Sequence, residues 1–326
     1  MVEAEGLESQ SYTVRFVVEQ NYRGWRLDRY LCAKIRRLSR AKAQAIIKAG
    51  GLAARPLKPA TLVTPGMVLS LVRRREPEPQ TPRELPVIYR DADLLVVDKP
   101  AGLPMHPTAR YHTGTLVALA RALAKEGEKP DPAHRLDRET SGLVLCGLTP
   151  ARTRSLKLAF AAGRVQKAYL AVTEGAPEEE EFEVDLPLSV GGETVRIRVK
   201  GDPVHGKPSV TRFRVLARHE IRGERFALVR CEPLTGRQHQ IRAHLSAKGF
   251  PLVGDKIYGR DERIFVRFTE HALSDDDWRT LRLPRHALHA AEITFPHPAD
   301  RRTMRLSSPL PPDLVGFLEG EGERSA

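Results

Sequence analysis

Apolar positions change period along the chain, and the change divides it in two. Leu27, Tyr30, Leu31, Ile35 and Leu38 recur at helical spacing and predict one apolar stripe, with Arg29, Lys34, Arg36 and Arg37 elsewhere on the same helix. Ser39 is placed to cap a second helix carrying Ala43, Ile46 and Ile47, which Gly50 and Gly51 stop. Short β segments from Gly51 to Val63 and from Val68 to Val72 complete a small compact unit. Beyond residue 86 short apolar runs take over: Leu94 to Val97, Leu143 to Cys146, Ala168 to Val172 and Phe226 to Arg230 predict strands. Helices are expected over Thr115 to Lys125 and Thr149 to Ala162, so the class is α+β. Between the two parts, RREPEPQTPRELP (residues 74–86) combines charge with four prolines and reads as a semi-rigid linker. Glu178 to Glu181 is expected as a solvated loop, and residues 260–284, rich in Arg and Asp, as an insertion.

Charge sharpens that division. The 326 residues carry a net charge of +12, which favours a polyanionic partner. Residues 1–75 hold 15 Lys/Arg against 5 Asp/Glu, a net of +10, so the N-terminal part is the electrostatic handle. Aromatic residues are only 6% of the chain, which argues against broad base-stacking platforms. Cys32, Cys146 and Cys231 are far apart and form no C-x-x-C pair, as expected of small apolar side chains in a reducing compartment. No stretch approaches the roughly 20 apolar residues of a membrane span, and the acidic start MVEAEGLESQ lacks the basic and apolar regions of a signal peptide. A cytoplasmic monomer is expected.

The most informative chemistry lies in HRLDRETSG, His134 to Gly142. If Ala133 to Asp137 is extended, the period of two puts Arg135 and Asp137 on one face and His134 and Leu136 on the other. Thr140, Ser141 and Gly142 read as a turn leading into the apolar run Leu143 to Cys146. On spacing alone an Arg and an Asp at the mouth of a buried strand are more often a structural ion pair than a catalytic group.

The whole segment resembles the signature of the RluA-type pseudouridine synthases, and five further segments resemble that family in order. They are DKPAGLPMHP (98–107), QKAYLAV (166–172), LTGRQHQIRAHL (234–245), GDKIYG (254–259) and LHA followed by FPHP (288–298). The one departure is Gly147, where the family often has Ala closing the strand after TSG. The resemblance implies a large mixed, mainly antiparallel sheet with flanking helices. It also implies conversion of uridine to pseudouridine in RNA without a metal or redox cofactor. On the same grounds Asp137 is the catalytic carboxylate at the sugar–base junction, through base addition, sugar addition or a glycal route alike. Tyr169 is the active-site phenol and Arg242 the arginine set against the carboxylate. Arg135 fills the space left by a flipped nucleotide, Ile241 walls the uracil pocket, and His134 and Arg237 join the substrate-binding set.

Local pattern adds to that reading. Thr235 and Gln238 fit a capping box that starts a helix at Gly236, Gly249 stops it, and Ile241 and Leu245 share its buried face beside Arg242. His239 and His244 are five apart, off the spacing of helical zinc ligands, and are expected to be structural. Lys99 and Lys207 lie in matched segments, where contact with RNA phosphates and simple solvation are equally expected. In the N-terminal part RLDRYL, SRAKAQAIIKAGG and TPGMVLSL resemble the S4 RNA-binding domain, which implies that Arg26, Arg29, Arg36, Arg37, Arg40, Lys42 and Lys48 contact RNA. The expected plan is an acidic tail (1–12), an S4-like domain (13–75), a linker (76–85), a pseudouridine synthase domain (86–316) and a tail (317–326). The expected target is large-subunit ribosomal RNA or its precursor particle. Transfer RNA, or a non-catalytic role in ribosome assembly, is the alternative.

Overall fold

The computed structural model describes residues 11–35, 38–50, 52, 56–74, 78–108, 110–192, 195 and 197–320. It separates into two units, Met1–Pro79 and Gln80–Ala326. In the first, β1 (Ser11–Val17) pairs antiparallel with β2 (Val68–Arg74), and α1 (Leu27–Lys34) and α2 (Arg40–Lys48) lie between them in sequence. Leu27, Tyr30 and Leu31 of the predicted stripe are fully buried, while Ile35 and Leu38 follow the end of α1 and pack on the same core. The Ser39 hydroxyl caps α2 by accepting from the Lys42 N–H. β1 has no counterpart in the expected elements, and the Gly51 to Val63 segment forms no strand among its described residues beyond an isolated bridge of Leu62 to Arg26.

The second unit is built on one ten-stranded sheet. Its strands are β3 (Val87–Arg90), β4 (Leu94–Lys99), β5 (Asp131–Pro132), β6 (Ser141–Gly147), β7 (Gln166–Glu174) and β8 (Glu181–Asp185), then β11 (Val210–Ile221), β12 (Glu224–Pro233), β13 (Leu288–Pro296) and β14 (Thr303–Ser307). A separate ribbon pairs β9 (Leu188–Val190) with β10 (Val199–Gly201). The main order is β3-β4-β6-β13-β7-β12-β11-β8, with β5 and β14 on the edges of β6 and β13. Pairing is antiparallel except between β6 and β13. The helices are α3 (Leu116–Ala122), α4 (Pro150–Ala161), α5 (Gln240–Ala247), α6 (Arg263–Thr269), α7 (Asp275–Leu281) and α8 (Pro312–Leu318).

Every residue of β6 is buried, because both faces of the sheet are covered there. Leu95 and Val97 of β4 and Val144 and Cys146 of β6 pack with Leu116 and Ala120 of α3, while Leu94, Val96, Leu143 and Leu145 turn to Leu156 and Ala159 of α4. The hydroxyls of Thr115 and Thr149 cap α3 and α4. Gly147 has a local cause: a β-carbon there would lie 2.2 Å from the Thr153 backbone nitrogen, so α4 crosses the end of β6 where a methyl does not fit. Two sequence boundaries are corrected: Glu181 belongs to β8, and Phe317, expected in the tail, is buried against Phe226 through α8. The 260–284 segment holds the short helices α6 and α7.

Candidate active site

Two apolar clusters meet along β7. One contains Ile241, Leu245 and Leu288, the other Leu136 and Ala290, and Tyr169 packs against both. At that junction a cleft of about 1210 Å³ opens, lined by Asp137, Tyr169, Ile241 and Arg242, with Arg135, His134 and Arg237 also on its walls. All seven candidate catalytic and substrate-binding residues expected from the sequence therefore line one cleft, although their positions span more than a hundred residues of chain.

Arg242 is the hinge of the charged floor. Its Nη1 donates to Asp137 Oδ2 at 2.8 Å, while Nε and Nη2 make a two-pronged pair with Asp255 at 2.7 and 2.8 Å. The guanidinium is 5% exposed and the Asp255 side chain fully buried, so each charge depends on the others for its solvation. Asp255 is itself anchored by accepting from the backbone N–H groups of Ile257 and Tyr258. The Arg242 guanidinium also lies 5.0 Å from the centre of the Tyr258 ring. Burial alone would raise the Asp137 carboxyl, but Arg242, with His239 and His286 nearby, holds it below its ordinary value, so it is an anion at neutral pH. Burial and the same carboxylate push the Tyr169 phenol well above its ordinary value.

The backbone around Asp137 is fixed from several sides. Lys99, expected on the surface, is fully buried instead: its ammonium donates to the carbonyls of Pro100, Leu103 and Arg138. It ties down the residue after Asp137 and cannot meet a phosphate. Glu139 takes an ion pair from Lys256 at 3.0 Å, and Thr140 and Ser141 hydrogen-bond His286 and His289. Gly142 sits at φ +114°, with the Ala290 backbone within 3 Å of where a β-carbon would stand, which brings β6 and β13 together beneath the site. His134 accepts from the Leu145 N–H through Nε2, and burial pushes its pKa down to about 3, so the neutral ring pins the segment to β6.

The helix that carries Arg242 begins later than its pattern predicts. α5 starts at Gln240, and its cap is His239 in a left-handed conformation, φ 54°. The expected capping box does not form, because the Thr235 hydroxyl accepts from Val210 and donates to Gln240 across the loop. Ile241 and Leu245 do share the buried face. Arg237 is exposed and donates to the Pro208 carbonyl at 3.2 Å, and Arg135 is exposed. Sequence reading missed Asp255, although it lies inside the GDKIYG motif. Its partnership with Arg242 exists only after the chain turns back on itself.

The RNA pseudouridylate synthase family matches residues 93–247, the stretch that contains Asp137, Tyr169 and Arg242. A ribosomal large subunit pseudouridine synthase D from Zymomonas mobilis is 33% identical, over 89% of this chain and 92% of its own. A ribosomal large subunit pseudouridine synthase C from Vibrio cholerae is 31% identical, over 94% of this chain and 96% of its own. Among solved structures, human RNA pseudouridylate synthase domain containing 1 superposes with a TM-score of 0.57 at 29% identity, covering 73% of this chain and 89% of that one. The chain belongs to the RluA family of RNA pseudouridine synthases.

Proposed function

We propose that this chain isomerises uridine to pseudouridine in large-subunit ribosomal RNA, with Asp137 as the catalytic carboxylate. The observation that carries the reading is the Asp137–Arg242–Asp255 chain of ion pairs at the floor of an open cleft, with Tyr169 on the adjacent wall. The reaction breaks the bond from N1 of the base to C1′ of the ribose, turns the base, and joins C5 to C1′. The C5 proton leaves and N1 gains one. No atom is added or lost.

In this reading Asp137 acts at the sugar–base junction as an anion, kept charged and aimed by Arg242. Tyr169 supports the uracil with its ring, and its hydroxyl takes part in removing the C5 proton, passing its own proton on because the phenol is neutral at pH 7. Ile241, 6% exposed, keeps the pocket wall apolar. Arg135, exposed on the cleft wall, fills the stack the flipped nucleotide leaves, and Arg237 and His134 complete the binding surface.

The ribosomal target is supported by relatives whose names specify the large subunit and which match nearly the whole chain, N-terminal unit included. That unit is read as an S4-like RNA-binding module. Lys42 and Lys48 are exposed, Arg29 lies over the Trp25 ring at 4.3 Å, and Arg26 and Arg40 present their outer faces while pairing inward with the buried Asp28. Arg36 and Arg37 lie outside the described residues. No described helix is long and apolar enough to cross a membrane, in keeping with work in the cytoplasm. The test is release of tritium from RNA labelled at uridine C5. Wild type should release it from large-subunit ribosomal RNA and Asp137→Ala should not; no release by wild type, or release by the variant, overturns the reading.

A further inference from the structure

The cleft leaves one sheltered charge unused. Its three carboxylates are all taken: Asp137 by Arg242, Glu232 by Arg230, and Glu292 by Arg230 and Arg305. Lys167 also lines the cleft and is half-buried, yet among the described residues no hydrogen bond or ion pair engages its ammonium. Burial is the one influence on its pKa, which it lowers. A cation that gives up water without gaining a partner is stabilised once an anion arrives.

Its position selects the anion. Lys167 and Tyr169 are two apart on β7, so their side chains leave the same face about 7 Å apart. That span is comparable with the step from a nucleobase to a phosphate of its own strand. Apart from Gly236 and its chain neighbours, the Lys167 ammonium is also the one described heavy atom within 4 Å of where a Gly236 β-carbon would stand, at 3.8 Å. The Gly236 N–H donates to nothing among the described residues. An ammonium thus lies close to a backbone N–H that has no acceptor among the described residues, a combination suited to phosphate oxygens.

Resting on the pseudouridine synthase reading, we propose that Lys167, with the Gly236 backbone, receives a phosphate flanking the target uridine and so sets how deeply the flipped nucleotide enters. The full-length wild type is compared with Lys167→Met and Lys167→Arg on the shortest large-subunit rRNA transcript from which wild type releases tritium. Methionine retains the apolar stem, so the fold should persist. The loss in Lys167→Met should be about tenfold, concentrated in KM, as for a hydrogen bond to a charged group, and arginine should restore most of it. The slope of log Kd against log salt should fall by about 0.7, the value of one phosphate contact on a single strand.

Random ethylation of the RNA phosphates with ethylnitrosourea then locates the contact. Ethylation at one phosphate beside the modified uridine should suppress binding by wild type and leave Lys167→Met indifferent. An unchanged salt slope, or the same ethylation interference in both proteins, overturns the proposal and leaves Lys167 facing the base or serving the fold. A wild type inert on every transcript sinks the parent reading instead, a result separable from either of these.

Discussion

At the scale of single residues the site is an exercise in holding charge where water is scarce. Arg242 supports Asp137 only because Asp255 balances it from behind, and Asp255 survives full burial only through the guanidinium charge and four N–H donors, two from Arg242 and two from the backbone. Burial would raise the Asp255 carboxyl, but Arg242 wins and holds it well below its ordinary value. A carboxyl lowered in the folded state contributes stability that is complete above its unfolded value near 4 and lost as pH falls through the folded one. Asp255→Asn should therefore cost about 3–5 kcal/mol at pH 7, the usual loss when one partner leaves a buried pair. It should also flatten the decline in stability below about pH 4. Tritium release should fall about 10²-fold from misplacement of Arg242, with Asp137 intact. Urea titrations across pH and the release assay check both; a variant as stable as wild type at pH 7 would show that Asp255 does not sustain Arg242.

At the scale of elements the decisive contact is the parallel pairing of β6 with β13, which sets the Asp137 loop on the sheet. Gly142 permits it through both a positive φ and the absence of a β-carbon, with the Ala290 carbonyl oxygen 2.4 Å from where one would be. Gly142→Ala should lose about 3 kcal/mol or more by thermal or urea unfolding, since strain and overpacking act together. Gly163→Ala, at a positive φ with nothing within 4 Å, should lose about 1 kcal/mol. Equal losses would show that φ, and not the approach of β13, is what Gly142 answers. The contrast also marks what a sequence discloses. Ser39 acts on a neighbour three residues away, so its cap is legible, and Thr115 and Thr149, expected only as the first residues of their helices, cap them by the same local contact. Thr235 has the same local pattern but is diverted to Val210 and Gln240, partners supplied by tertiary structure, and α5 starts four residues late. Asp137, Tyr169 and Arg242 can be read because ordered motifs mark them, whereas Asp255 and Lys167 sit inside recognisable motifs without a visible task. The misreading of Lys99 has the same cause, since a lysine satisfied by three carbonyls looks like any other until the loop that supplies them is folded.

At the scale of the molecule the charge and the chemistry are kept apart. Residues 1–75 carry +10 of the net +12, while the unit Gln80–Ala326 holds the cleft and its ion pairs. Within the larger unit most cations answer a carboxylate, as Arg212 answers Glu183, Arg218 answers Glu180 and Arg267 answers Asp277, so they offer little net field to a polyanion. In the smaller unit Lys42 and Lys48 have no described partner, and Arg26 and Arg40 share the single carboxylate of Asp28. Long-range attraction and counterion release should therefore belong to the N-terminal unit, and the catalytic step to the other. Deleting residues 1–79 should weaken binding to large-subunit rRNA steeply at low salt. The slope of log Kd against log salt should become shallower by about 0.7–0.9 for each phosphate that the unit no longer neutralises. Tritium release at saturating RNA should survive the deletion far better than release at limiting RNA, because the groups around Asp137 all lie beyond residue 79. Binding isotherms at several salt concentrations, run beside the release assay, measure the two effects separately. A slope unchanged by the deletion would mean that the clustered charge is a solvated surface and that the larger unit finds the RNA on its own.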